Sequence, residues 1–346
     1  MSTATGGRWR VETWDPAYGA STGEQLEPRR SQVEPTLDVE LAEARWRPLD
    51  PGADARTWRR VLFVDGVRRI DAIAWDGEEP GPDGIPSMAL FASYAAGVVC
   101  CDPGGARLLA AQVHRGLFSG ATAVGDVATS VGRYVGSRVP LRLGSPPPAQ
   151  QLTQAVQARM RTAEAAVSET ARHGPAPDGT NGAGTNGAGT NGAGHAGGPA
   201  GDDLLVVDGP LHGRTHLPRT LGYAKTHDTY YLPAALHRMV GTLGPGQRTP
   251  VFGLADRYSW YLKLPGGPGA PWAGVVRVEC SAELAVADAV ATAGGSQRML
   301  GRYASTEYKD ARAPQNLYPI AGLERELRRR LGDRALTYRA IRAATA

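Results

Sequence analysis

Two aspartates that follow apolar runs are the residues of this chain best suited to do chemistry. Asp65 follows Val61-Leu-Phe-Val64, Asp208 follows Leu204-Leu-Val-Val207, and a glycine comes next in both places. Each run predicts a buried strand, which has no cheap place for an unpaired charge. Each aspartate must therefore lie at the end of its strand, accept hydrogen bonds or bind a metal ion. Asp-Gly is also a common turn dipeptide, but its repetition favours one shared carboxylate site.

A helix between the two runs carries a third candidate carboxylate. Residues Gln150 to Arg172 contain no proline or glycine, and their apolar side chains recur at helical spacings. The apolar positions are Leu152, Val156, Met160, Ala163 and Val167. Glu164 lies at the edge of this stripe, so its carboxylate can face either solvent or a cleft beside the helix. Most glutamates on amphipathic helices are solvated, and only the other carboxylates make Glu164 a candidate.

Composition sets the class of protein. The 346 residues carry a formal net charge of +4, which permits a polyanionic partner without requiring one. Three cysteines, at 100, 101 and 280, provide neither a disulfide framework nor a paired zinc-binding pattern, and they fit a reducing cytoplasm. The longest apolar run, Met88 to Cys101, is too short to cross a bilayer, and the N-terminus lacks the apolar stretch of a signal peptide. We expect a soluble cytoplasmic protein without a membrane partner.

The chain is expected to consist of an arm and one large domain. Residues 1–45 predict a poorly ordered arm that ends in a short helix within Pro35 to Trp46. Residues 46–346 predict a single domain, interrupted at 173–202 by a disordered Gly/Thr/Asn-rich insertion with three Gly-Thr-Asn-Gly-Ala units. A long loop adds little closure entropy, about 0.6 kcal/mol for each doubling of its length. Three apolar segments of the domain predict an antiparallel meander: 61–65, 70–75 and 88–101.

Three cationic side chains are candidates for contact with a phosphate backbone. Lys225 follows a small-residue strand, and an ordinary surface lysine is the competing interpretation. Arg277 shares one face of a predicted strand with Glu279, so an intramolecular ion pair is the alternative there. Arg312 belongs to the segment from Arg298 onwards, which holds eleven Lys or Arg and five Asp or Glu. Such a basic segment forms either a solvent-exposed face of a helix or a binding surface for nucleic acid or an acidic partner.

The order of these motifs resembles the NurA nuclease family. The resemblance covers roughly residues 58 to 335 without the insertion, and the order and spacing of the motifs carry it. The matching motifs are the apolar strand with Asp65-Gly, Arg161-x-x-Glu164, Asp208-Gly-Pro-Leu, Gly-Tyr-x-Lys225, Trp-Tyr-Leu-Lys-Leu, Val-Arg277-Val-Glu and a late Tyr318-Pro.

The resemblance implies a fold, a cofactor and partners. The fold is α/β, an RNase H-like mixed sheet flanked by helices. The activity is that of a DNA nuclease whose divalent metal, manganese or else magnesium, is bound by Asp65, Glu164 and Asp208. Hard divalent cations prefer several oxygen ligands, which carboxylates from two strands and a helix can supply. The resemblance also implies a homodimer that acts on DNA with a hexameric HerA-type ATPase, in DNA repair and end processing or in antiviral defence.

One position departs from the family pattern. NurA proteins carry a late histidine after a Tyr-Pro segment, and here Tyr318-Pro319-Ile-Ala-Gly-Leu-Glu324-Arg-Glu326 contains none. Gln315, Asn316, Glu324 or Glu326 can substitute, and we expect Asn316 or Glu326 as the further metal ligand. The missing histidine leaves two functions open: an active metal-dependent nuclease, or a catalytically weak NurA-like subunit that assembles with the same motor and binds DNA.

Overall fold

The structure is a computed structural model that describes residues 29–53, 55–80, 86–142, 146–173, 203–226, 229–266, 272–306 and 313–345. The strands are β1 (Arg29–Arg30), β2 (Arg60–Pro80), β3 (Pro86–Asp102), β4 (Gly105–Ser119), β5 (Val127–Thr129), β6 (Gly132–Arg138), β7 (Asp203–Asp208), β8 (Thr220–Ala224), β9 (Thr229–Tyr230), β10 (Phe252–Leu254), β11 (Arg257–Lys263) and β12 (Val275–Ser281). The helices are α1 (Pro148–His173), α2 (Ala234–Val240), α3 (Val286–Tyr303), α4 (Tyr318–Arg330) and α5 (Arg334–Thr345). None of the helices described has the length and apolar character that a membrane span requires.

The chain separates into two compact units, each made of segments that are far apart in sequence. The described residues of the first unit fall within Met1–Phe63 and Gly201–Ala321, and those of the second within Val64–Ala200 and Gly322–Ala346. The unit boundaries fall within β2 and within α4. The single domain expected for residues 46–346 stays a prediction. Residues 1–28 of the predicted arm and 174–202 of the predicted insertion lie outside the described residues.

The first unit contains a mixed sheet with the strand order β10-β11-β12-β8-β7. Strands β7 and β8 are parallel, and the other neighbours are antiparallel. Every residue of β8 and β12 is buried, which indicates that both faces of the sheet are covered there. Helix α3 lies against β11, where Trp260 Nε1 donates to Ser296 Oγ at 3.1 Å. Leu236 of α2 packs in a second cluster with Phe252 and Tyr261.

The second unit contains strands in the order β2-β3-β4-β6-β5. Strands β3 and β4 pair antiparallel, and β4 pairs parallel with β6. Leu152 and Val156 of α1 pack against Phe118 of β4, and Ile341 of α5 packs against Phe91 of β3. The protein is thus built from a large mixed sheet flanked by helices, and the predicted α/β class is confirmed.

A buried aspartate connects strands of the second unit with its C-terminal helices. Asp71 of β2 accepts hydrogen bonds from Ser93 Oγ at 2.5 Å, Tyr134 OH at 2.9 Å and Arg69 Nε at 2.6 Å. Arg69 also donates to Gly332 O at 2.7 Å, between α4 and α5. Burial, together with the neighbouring Asp71 carboxylate, raises the pKa of Tyr134 to about 12. These donors offset the cost of burying the Asp71 charge.

The local predictions had different outcomes. Helix α1 is confirmed and extends slightly beyond the predicted range at both ends. The short helix expected within Pro35 to Trp46 is wrong, and only a 3-10 turn forms at Glu43–Arg45. Thr36 pairs instead with Gly253 in an antiparallel bridge, so the chain before the turn is extended. A separate strand at 70–75 is also wrong, because β2 continues without a break from Arg60 to Pro80.

Candidate metal centre

Asp65 lies inside β2 rather than at its end. The strand continues through Gly66 to Pro80. Of the three environments open to Asp65, the strand end is therefore excluded, and the turn interpretation of this Asp-Gly pair is wrong. The Asp65 side chain is buried, and its Oδ1 accepts a hydrogen bond from Gly66 N at 2.7 Å. A carboxylate buried in a strand requires donors or a cation to offset its desolvation.

Glu164 of α1 lies against the same part of β2. Its side chain is buried, so its carboxylate faces away from solvent, which is one of the two orientations that the sequence allowed. A Cβ built on Gly66 would lie 2.6 Å from Glu164 Oε1 and 2.9 Å from Met160 Cγ. The glycine next to Asp65 therefore leaves the space that the Glu164 carboxylate occupies.

Glu324 of α4 is another carboxylate of the second unit that reaches Asp65. One carboxylate oxygen of Glu324 lies within 4.8 Å of one of Asp65. Oxygen ligands lie about 2.0–2.6 Å from Mg²⁺ or Ca²⁺, so two oxygens at this separation can bind one cation. Arg328 Nη2 is 2.8 Å from Glu324 Oε2 and neutralises part of its charge.

Glu326, one of the two expected further ligands, lies in a different environment. Its oxygens accept hydrogen bonds from Arg329 and Arg330 at 2.8 Å, and these bonds lower the pKa of Glu326 to about 2. Residues two apart on a helix lie roughly 200° apart around its axis, so Glu324 and Glu326 point in different directions. The geometry therefore places Glu324, not Glu326, beside Asp65.

In the first unit, Asp208 is the last residue of β7, where the sequence predicted it. Its Oδ2 lies 2.6 Å from Lys225 Nζ, and the same ammonium group donates to Asn316 Oδ1 at 3.1 Å. Lys225 is buried, so it is not an ordinary surface lysine, and its charge is directed at Asp208 rather than at solvent. Asn316, the other expected further ligand, uses its side-chain oxygen for Lys225, and this contact competes with a metal role.

The segment after Asp208 is fixed by backbone and side-chain hydrogen bonds. Gly209 has a φ of +110°, which favours glycine, and it exchanges two backbone hydrogen bonds of 2.8 Å with Tyr223. Two residues later, Leu211 N donates to Glu279 Oε2 at 2.8 Å. The position of Asp208 therefore depends on β8 and β12 as well as on its own strand.

Glu279 is the centre of a buried ionic network. It accepts hydrogen bonds from Arg257 Nη1, at 3.1 Å to each oxygen, and from Arg277 Nη1. The Arg277 guanidinium also lies over the ring of Tyr231, 4.4 Å from its centroid. Burial lowers the pKa of Arg277. Arg277 therefore forms the intramolecular ion pair with Glu279 that was the alternative to a DNA contact. Because only 4% of its surface is exposed, Arg277 is poorly placed for the DNA contact predicted for it. Arg312 lies outside the described residues.

Sequence reasoning missed Arg257 and preferred Glu326 to Glu324. Arg257 begins β11 without any motif that would have marked it. The two glutamates could have been separated by helical spacing. Ile320, Leu323 and Leu327 form the buried stripe of α4. At about 100° per residue, Glu324 lies roughly 65° and Glu326 roughly 95° from the middle of that stripe.

The chain is similar in fold to a solved nuclease structure. No protein-family model matches the sequence, and no curated protein matches it. The fold is similar to the crystal structure of the NurA nuclease from Sulfolobus solfataricus, with a TM-score of 0.40 and 10% sequence identity, over 83% of this chain and 84% of that chain.

Proposed function

We propose that this chain is a divalent-metal-dependent deoxyribonuclease in which Asp65 and Glu324 of the second unit hold a cation. The observation that carries the proposal is the approach of Asp65 and Glu324 to within 4.8 Å in that unit. Carboxylates this close repel one another until a cation neutralises them. The motif order that resembles NurA implies Asp208, at the end of β7, as a further ligand.

The residues fit a hard cation. Carboxylate oxygens suit Mg²⁺ and Mn²⁺, and the three proposed ligands include no cysteine or histidine that would favour zinc. When bound, such a cation stabilises negative charge on a phosphodiester and lowers the pKa of a water molecule. We propose that Glu164, whose Oε1 lies beside Gly66, accepts a hydrogen bond from the attacking water, and that Lys225 orients Asp208 through their ion pair.

A pair of glutamine variants on one helix tests the proposal. Glu324→Gln should abolish cleavage of plasmid and linear DNA in manganese or magnesium, because it removes a ligand charge. Glu326→Gln is the matched control, since it makes the same chemical change two residues away, and it should cleave like the parent. EDTA should stop cleavage by the parent and by Glu326→Gln. Equal activity of Glu324→Gln and Glu326→Gln would refute the role of Glu324.

Metal binding without DNA gives a second measurement. Manganese should raise the Tm of the parent, because a ligand stabilises only the state that binds it. Asp65→Asn and Asp208→Asn should each reduce this rise while the protein stays folded in EDTA. If both variants unfold, and neither changes the response to metal, the aspartates are structural residues and the nuclease proposal loses its chemical basis.

A second candidate function is a catalytically weak subunit that binds DNA and assembles with the motor. The observation that favours it is the ion pair between Lys225 and Asp208, because a buried ammonium competes with a cation for the same carboxylate. The missing late histidine points the same way. Purified protein that binds DNA but cleaves neither plasmid nor linear DNA in manganese would favour this function.

The partners proposed rest on the NurA resemblance alone. They are a second copy of the chain and a hexameric HerA-type ATPase, in the cytoplasm, in DNA repair or antiviral defence. Gel filtration with light scattering should give the mass of a dimer at micromolar concentration. A clean monomer under these conditions would contradict the homodimer.

A further inference from the structure

Helix α5 exposes a basic face that the proposed metal site does not use. Its sequence, RALTYRAIRAAT, contains three arginines and no acidic residue. Thr337, Ala340 and Ile341 are buried, and Ile341 packs in the cluster with Phe91 and Tyr134. The opposite side of the helix exposes four side chains that we call the arginine face: Arg334, Tyr338, Arg339 and Arg342.

The three arginines of this face have no carboxylate within ion-pair distance in the part of the chain that the structure describes. The contrast is with the end of α4, where Arg329 and Arg330 both pair with Glu326 at 2.8 Å. The acidic residue nearest to α5 in sequence, Asp333, accepts a hydrogen bond from Leu336 N at 2.8 Å and so caps the helix. Three adjacent positive charges without counter-charges favour a polyanionic partner.

From this geometry we infer that the arginine face binds the sugar-phosphate backbone of DNA. Arg334 and Arg342 are eight residues apart, about 12 Å along the helix, and a DNA strand carries a phosphate roughly every 3.4 Å of its axis. The face therefore spans about three to four phosphates of one strand. Guanidinium groups bind phosphate oxygens in a bidentate manner. Tyr338 lies four residues from each of these arginines, on the same side of the helix.

Tyr338 distinguishes this face from a merely basic one. Its side chain is 46% exposed, although burial of an aromatic ring would be favourable. An exposed ring between arginines offers a surface for stacking on a base and a hydroxyl that can donate to a phosphate, as in proteins that bind single strands. The inference deepens the proposed function, on which it rests, by naming the residues that hold the substrate outside the metal site.

The test is binding of a labelled DNA oligonucleotide by the full chain in EDTA, where no cleavage occurs. Arg339→Gln with Arg342→Gln should weaken binding about tenfold or more, and the slope of log K against log salt should fall by about 2, close to 0.9 for each lost phosphate contact. The matched control is Arg329→Gln with Arg330→Gln. It also removes two exposed positive charges, but from arginines that pair with Glu326. It should bind like the parent with an unchanged slope.

Three results would overturn the inference. They are an unchanged slope in the Arg339/Arg342 double variant, an equal loss in the Arg329/Arg330 control, and displacement of DNA by polyglutamate at equal charge concentration. Tyr338→Ala should weaken binding of single-stranded DNA without changing the slope, because it removes no charge. The nuclease proposal is tested separately, by the cleavage assay with metal. Binding of DNA in EDTA tests only the arginine face.

Discussion

Replacement of Glu279 by glutamine tests how the segment after Asp208 is held. Glu279 is 0% exposed and bonds two buried arginines, Arg257 and Arg277. The substitution keeps the shape of the side chain but leaves two buried positive charges without their shared counter-charge. Removal of one partner from a buried ion pair costs about 3–5 kcal/mol, and we expect a loss of this size here.

The expected loss is large enough to measure by thermal and urea unfolding. For a domain of 150–250 residues, 1 kcal/mol shifts Tm by about 2–4 °C, so the Tm should fall by roughly 6–20 °C. Glu283→Gln is the matched control, because Glu283 is exposed and lies only four residues further along the chain. Exposed substitutions of this kind usually change stability by less than about 0.5 kcal/mol.

A second variant separates loss of charge balance from loss of packing. If Glu279→Gln destabilises the protein because Arg277 is left uncompensated, adding Arg277→Met should recover part of the stability. The reasoning would be refuted if the free energy of unfolding of Glu279→Gln were within about 0.5 kcal/mol of the parent value. It would also be refuted if the double variant lost more free energy of unfolding than the two single variants lose when added together.

Three further predictions concern the metal centre and the Asp71 network. Gly66→Ala should lower the cleavage rate at least tenfold and cost about 1–3 kcal/mol of stability, because its Cβ would displace Glu164; unchanged cleavage would contradict the role of Glu164. Lys225→Met should lower stability in EDTA and increase the rise in Tm with manganese, since the ammonium no longer competes for Asp208; an unchanged rise would contradict that competition. The raised pKa of Tyr134, about 12, means that its contribution to stability is complete below pH 10, the usual tyrosine pKa, and is lost as pH rises to about 12. Tyr134→Phe should therefore lose less stability than the parent between pH 9 and pH 12, measured by urea unfolding at each pH.

The elements that the sequence predicted well are those with a strong local signal. Helix α1 has a long apolar stripe without proline or glycine, and local propensity and tertiary packing favour the same structure there. Strand β7 is a short apolar run that ends at Asp208, where Gly209 takes up a positive φ. The same pattern failed at Asp65, because Gly66 serves the close approach of Glu164 rather than a turn. Only the tertiary structure distinguishes these two uses of Asp-Gly.

The side chains predicted to bind DNA show a second limit of sequence reasoning. Lys225 and Arg277 were candidates because they are cationic, and both are buried against carboxylates. The partner of Arg277 is Glu279 of its own strand, which the sequence already offered as the alternative. The partner of Lys225 depends instead on strand register, because Asp208 of β7 pairs with Tyr223 of β8, two residues before Lys225. Such cross-strand neighbours are far apart in sequence and leave no local pattern.

The charges around the proposed ligands of the second unit favour one cation rather than two. Asp65, Glu324 and the neighbouring Glu164 carry a formal charge of −3. Arg328, which pairs with Glu324, brings the sum to −2. One divalent cation balances this charge, whereas two would leave a formal charge of +2 in surroundings that solvate charge poorly. A one-metal centre is therefore the arrangement that these residues support best.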